Sequence, residues 1–162
     1  MNKQNKSGWS IGIVFCMWIL FFPNSPYILT DLFHLKQQPN IPLWYDLGLL
    51  ISYAWTGLML GFISLLEIQV FLNKRFTTGI SWAAIVCILT LSSFGIYLGR
   101  FERWNSWDIV TDPIALIVDI YERIMSPFSH PRTFGVTIMF SLFLIISYLT
   151  LFSLIKSRSH EQ

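Results

Sequence analysis

This sequence is poor in charge. Of its 162 residues only 12% are Asp, Glu, Lys or Arg, against about a quarter in a soluble globular domain, so an ordinary water-facing surface cannot be built from it. The net charge of +2 is small and scattered, which argues against a basic nucleic-acid-binding face. Cys16 and Cys87 are the two cysteines, each inside an apolar run; a disulfide framework is not expected and both read as buried small hydrophobes. No Cys-x-x-Cys, glycine-rich phosphate loop or Ser-His-Asp arrangement occurs, so no cofactor is implied.

What is present is hydrophobic. Apolar residues make up 54% of the chain and its mean hydropathy is +0.56. Crossing a bilayer takes about 20 residues of helix at 1.5 Å each. Residues 47–66, 80–99 and 134–155 meet that length without a charge. Residues 11–22 do not, and reach it only when extended to about residue 33. An N-terminus with Lys3 and Lys6 followed by an apolar run also resembles a secretory signal, but no small-x-small cleavage pattern comes after Phe22, and the segment is expected to be retained.

That extension passes through Pro23-Asn24-Ser25-Pro26. Two prolines three apart cannot both lie inside an unbroken helix, because each lacks an N–H and clashes with the preceding turn. Ser25 as N-cap and Pro26 at the first helical position would restart it. In the new helix Tyr27, Thr30, Asp31 and His34 fall on one face and Ile28, Leu32 and Leu35 on the other. Two readings stay open: a discontinuous helix at membrane depth, or a short helix ended by Pro23 with the next one lying flat at the interface.

Trp44 and Tyr45 are interface-belt residues ahead of the second span. Gly57-x-x-x-Gly61 in that span and Gly95-x-x-x-Gly99 in the third each let a backbone approach closely, so the two helices are expected to pack through their glycines. After Gly99 comes a dense run, Arg100-Phe101-Glu102-Arg103-Trp104-Asn105-Ser106-Trp107-Asp108. If the helix continues, Ser93, Tyr97, Arg100 and Trp104 share a face; equally, Arg and Trp at a helix end anchor it at the interface. Asp112-Pro113 is a cap followed by a proline start. Residues 113–125, with Asp119, Glu122 and Arg123 on one side, are too short to span and read as an interfacial amphipathic helix.

Lys3, Lys6, Lys74, Arg75, Lys156 and Arg158 would share one side of the membrane, and Lys36, Arg100, Arg103, Arg123 and Arg132 the other. This favours a cytoplasmic N- and C-terminus. Four crossings then bring the Tyr27–His34 stripe, Asp46 and the Arg100–Asp108 cluster to one outer rim.

Ionisable groups at such a rim are default candidates for function. Arg100 and Arg103 are suited to hold a phosphate or carboxylate, Asn24 and Tyr27 to orient it, and Asp31 or His34 to act as acid or base. Thr30, Asp46, Trp104, Asn105 and Asp108 complete the ligand-binding set. The structural alternative pairs Asp31 and Asp46 with Arg100 and Arg103 as ion pairs that fasten helix ends. Asp31 and His34, at i and i+3, with Asp46 or Asp108, make a thinner case for a metal ion, and no metal site is expected.

Phe22-Pro23-Asn24-Ser25-Pro26-Tyr27-Ile28-Leu29-Thr30-Asp31-Leu32, Pro42-Leu43-Trp44-Tyr45-Asp46, and Gly95 to Phe101 with Arg103 to Asp108 together resemble the membrane proteins grouped as domain of unknown function 1361. The resemblance runs from about residue 18 to residue 148. It implies a bacterial multi-pass membrane protein and assigns no activity. Members are expected to carry further hydrophobic helices upstream, where this chain has only residues 1–10 before its first span.

The expected fold is all-α: a polytopic membrane helical bundle of about four transmembrane helices (11–33, 47–66, 80–99, 134–155) with a broken first helix and an interfacial helix at 113–125, forming one integral membrane domain over 1–162. Three function classes are compatible with it. One is an enzyme or binding site for an anionic lipid headgroup or small ligand, one a structural or assembly partner of a membrane complex, and one a transporter subunit. The lipid bilayer is the expected partner, with a homo-oligomer or a membrane-complex partner open and nucleic acid excluded.

Overall fold

In the computed structural model, residues 3–36, 42–126 and 128–159 are described. They form helices α1 (Lys3–Phe21), α2 (Asn24–Tyr27), a 3-10 helix (Ile28–His34), α3 (Leu43–Asn73), α4 (Thr78–Phe101), α5 (Asp108–Thr111), α6 (Pro113–Met125) and α7 (Pro131–Ser159). Among the described residues four stretches are long and apolar enough to cross a membrane: Gly12–Phe33, Leu43–Asn73, Thr78–Phe101 and Pro131–Ser157. The molecule is therefore an all-α polytopic bundle and a multi-pass membrane protein.

The first crossing stretch is broken where the prolines require it. Pro26 has no N–H to give the Phe22 carbonyl, which accepts from Ser25 N at 3.1 Å instead. Beyond the break the chain does not restart as a capped α-helix. Ser25 does not cap; it lies within α2, and its hydroxyl donates across to the Gly57 carbonyl on α3. Residues 28–34 wind as a 3-10 helix, whose three residues per turn take Thr30 and Asp31 off a common face. Thr30 is completely buried and its hydroxyl donates back to the Tyr27 carbonyl at 2.7 Å.

The glycine motifs do pack, though on the break and not on each other. A Cβ at Gly57 would lie 2.9 Å from the Ser25 carbonyl oxygen, and one at Gly61 would lie 2.5 Å from Ser25 Oγ. On the opposite wall, a Cβ at Gly95 would meet Pro23 Cγ at 3.3 Å and one at Gly99 would meet Tyr27 Cε2 at 3.1 Å. The segment from Phe22 to Ile28 is thus a wedge held between α3 and α4. Small-residue spacing marks where a backbone can approach; here the backbone that approaches is the interrupted one.

α4 and α7 run antiparallel. Arg132, in the first turn of α7, lies over the Phe101 ring at the end of α4, while Trp82 near the start of α4 meets Phe152 at 4.9 Å. Phe62, Leu65, Ile85, Leu89, Ile96, Leu144 and Tyr148 fill the centre between α3, α4 and α7, and the Tyr148 hydroxyl donates to Gln69 Oε1 at 2.6 Å. Large apolar side chains such as Leu60, Ile63, Leu142 and Ile146 face outward, the surface a lipid solvent requires.

Candidate functional site

α4 ends by a device that the sequence pattern hides. Glu102 N and Trp104 N both donate to the Leu98 carbonyl at 3.2 Å, and Arg103 between them takes φ 63°. This left-handed conformation is the one a residue past a helix C-terminus often adopts, usually as Gly or Asn. The helix therefore stops, and Trp104 does not extend the Ser93, Tyr97, Arg100 face. The chain folds back so that the Trp104 carbonyl comes to 3.5 Å from where a Gly99 Cβ would be. The Arg103 side chain is exposed and forms no ion pair among the described residues.

Arg100, in the last turn of α4, reaches back to the broken stretch. Its Nη1 donates to Asp31 Oδ1 at 3.0 Å, its Nη2 donates to the Thr30 carbonyl at 2.7 Å, and its guanidinium lies 5.9 Å from the centre of the Tyr27 ring. The Arg100 side chain is 12% exposed and that of Asp31 43%. The carboxylate thus keeps an open side while the guanidinium is enclosed. Thr30 contributes its main-chain carbonyl to this contact, not its hydroxyl.

The remaining candidates divide between two cavities. An open cleft of about 490 Å³ is lined by Asp31, Lys36, Asp46 and Arg100 with Leu35, Leu49, Leu50 and Tyr53. The end of the 3-10 helix, the first turn of α3 and the last turn of α4 therefore meet around one space. A more enclosed cavity of about 270 Å³ is lined by Tyr27 and by Asn24, Trp104, Asn105 and Ser106, which supply only neutral polar groups. Asp108 lines neither; its Oδ2 accepts from Asn105 N at 2.6 Å and its Oδ1 from the Thr111 hydroxyl at 3.2 Å, so it shapes the start of α5. The His34 side chain lies outside the described residues. Among the described residues no group of three His, Cys, Asp or Glu is placed to hold a metal ion.

A second polar cluster, centred on Arg123 of α6, escaped the sequence reading. Arg123 Nη2 is 2.8 Å from Asp119 Oδ1 and 2.7 Å from Glu102 Oε2, its Nε donates to Asp119 Oδ2 at 3.2 Å, and its Nη1 donates to the Tyr97 hydroxyl at 3.1 Å. That hydroxyl donates in turn to Glu102 Oε1 at 2.8 Å, and the Trp104 indole donates to Asp119 Oδ2 at 2.9 Å. Burial alone would push the Asp119 carboxyl up, but the bonds from Arg123 and Trp104 outweigh it and hold the group below the usual carboxylate range. The bonds to Asp119 raise the Arg123 guanidinium in turn, so it stays charged. Asp119 and Arg123 at i, i+4 were the available signal, and Glu102 beside the more conspicuous arginines was the missing partner.

The family model described as Protein of unknown function (DUF1361) matches residues 1–147. The chain belongs to this family. No curated protein and no solved structure matches it.

In this DUF1361 chain the motifs that carried the resemblance meet in space. Phe22 to Leu32 is the wedge and its 3-10 extension. Gly95 to Arg100 is one wall that receives the wedge and the arginine that holds its far end. Trp104 carries the fold-back to α6, and Asp46 brings the start of α3 to the charged cleft. Trp44 and Tyr45 are exposed beside it, their rings 6.1 Å apart and edge to face.

Proposed function

We propose that this membrane protein is a binding protein for a polar lipid headgroup or a small charged ligand, taken up at the charged cleft at the broken end of the bundle. The observation that carries the reading is the convergence of Asp31, Lys36, Asp46 and Arg100 on one open space, in a chain whose crossing stretches hold almost no charge. Ionisable groups at such a position are expensive, and four of them around a cavity are better explained by a ligand than by packing alone. In this reading the termini face the cytoplasm and the cleft opens at the outer rim, with α6 lying along the interface through its exposed Ile114, Ile117, Val118 and Ile124.

One observation favours a second reading. Arg100 spends both terminal nitrogens within the chain, on Asp31 and on the Thr30 carbonyl, which is what a fastening of the wedge requires. The chain would then serve as a structural or assembly partner in a membrane complex. Leu50→Trp, which fills the cleft without touching any of its charges, separates the two. On the binding reading, protein purified in mild detergent carries less co-purified lipid or ligand by mass spectrometry while melting as the wild type does. Unchanged bound material in Leu50→Trp, together with loss of the folded state in Arg100→Gln, would leave only the fastening role.

A further inference from the structure

The charges around the cleft are not equivalent. Asp31 and Arg100 already neutralise one another at 3.0 Å. Asp46 and Lys36 line the same space and form no ion pair or hydrogen bond among the described residues. The cleft therefore holds one committed pair and one uncommitted charge of each sign. Resting on the binding reading above, we infer that its ligand is a zwitterionic headgroup carrying a primary ammonium and a phosphodiester, the chemistry of an aminophospholipid.

A simple anion attracted to Lys36 would face Asp46 and the open side of Asp31, and a simple cation attracted to Asp46 would face Lys36. A dipolar group satisfies both ends. Its ammonium is placed to donate to Asp46 and to the solvent-facing side of Asp31, and its phosphodiester to accept from Lys36. N–H donors matter here because carboxylates bind them by charge-assisted hydrogen bonds. Quaternary ammonium groups depend instead on aromatic cages, and Tyr53 is the sole ring among the lining residues of this cleft. The rest of the lining, Leu35, Leu49 and Leu50, is apolar, and Leu49 and Tyr53 lie on the outward face of α3. Acyl chains leaving the cleft would run directly onto the lipid-facing side of that helix, which assigns the headgroup to a bilayer lipid and not to a soluble metabolite.

The test uses the full chain in nanodiscs of phosphatidylcholine, alone or doped with phosphatidylethanolamine or phosphatidylglycerol, with retained lipid counted by native mass spectrometry. Phosphatidylethanolamine should be retained several-fold over both other lipids. Asp46→Asn should lower that retention to the phosphatidylcholine level, and Lys36→Gln should lower it as well. Circular dichroism melts would verify that both variants fold. Preferential retention of phosphatidylglycerol overturns the zwitterion, and equal retention of phosphatidylethanolamine and phosphatidylcholine overturns the primary ammonium; either result leaves the cleft a headgroup site. Stabilisation by soluble phosphoethanolamine without retention of the lipid overturns the lipid source. No retained lipid of any class, with no response to Leu50→Trp, removes the binding reading itself.

Discussion

Replacing Gly57 with alanine tests the wedge directly. The new Cβ would lie 2.9 Å from the Ser25 carbonyl oxygen and 3.3 Å from Ile28 Cδ1. The first contact is with backbone, which cannot swing aside as a flexible side chain does. Overpacking of this kind costs about 1–3 kcal/mol. Displacing Ser25 also weakens its bond to the Gly57 carbonyl, worth about 1 kcal/mol. Against this, alanine is preferred over glycine in a helix by about 1 kcal/mol. The net expectation is a loss of about 1–3 kcal/mol. Gly48, on the same helix, has nothing within 4 Å of its would-be Cβ, so Gly48→Ala should show only the propensity gain of up to about 1 kcal/mol. Denaturant titration in detergent micelles, followed by helix and tryptophan signals, measures both. Gly61→Ala adds a distinguishing arm. Its nearest neighbours, Ser25 Oγ at 2.5 Å and Ser25 Cβ at 3.1 Å, are removed in Ser25→Gly, so that change should rescue Gly61→Ala and fail to rescue Gly57→Ala. If Gly57→Ala is as stable as Gly48→Ala, the break does not lie against α3 as described.

Two further outcomes concern the end of α4 and its tether. The Asp119 carboxyl is held below its unfolded value. Its stabilisation is therefore fully present above the unfolded pKa and lost as the pH falls through the folded one, in the region below about pH 4. Melts in detergent should weaken over that range in the wild type, and Asp119→Asn, already weaker at neutral pH, should weaken less. Arg103 holds φ 63° with an exposed side chain, so Arg103→Gly relieves a left-handed strain of about 1 kcal/mol and should raise the melting temperature, whereas an Arg103 essential to the fold would make the same change destabilising.

Much of the architecture was legible because its causes are local. Proline's missing N–H predicts the break at Pro23–Pro26, and Asp112-Pro113 predicts the start of α6, where the Asp112 carboxylate accepts from Ala115 N at 3.3 Å. Glycine spacing located the close approaches, yet it could not say what would fill them, since a G-x-x-x-G specifies a groove and not its occupant. The 3-10 winding of Ile28–His34 was hidden for a related reason. Its cause is tertiary: the Thr30 carbonyl is turned to Arg100, 70 residues away. The meeting of Asp31 with Arg100 was implied by crossing parity, but the left-handed Arg103 left no trace in the pattern, and of the two readings left open for the run after Gly99 it removes the one in which the helix continues through Trp104. Carried back by that turn, Trp104 joined a cluster whose other members lie on α6 and at the end of α4.

The wedge also has a consequence for biogenesis. The hydroxyl of Ser25 finds its acceptor 32 residues later in the chain, and the carboxylate of Asp31 finds its guanidinium 69 residues later. When the opening segment emerges from the ribosome, neither partner has yet emerged beside it, and the segment carries polar groups that lipid alone cannot accommodate. It must wait in a sheltered, hydrated setting, such as the insertion machinery provides, until the third crossing arrives to enclose it.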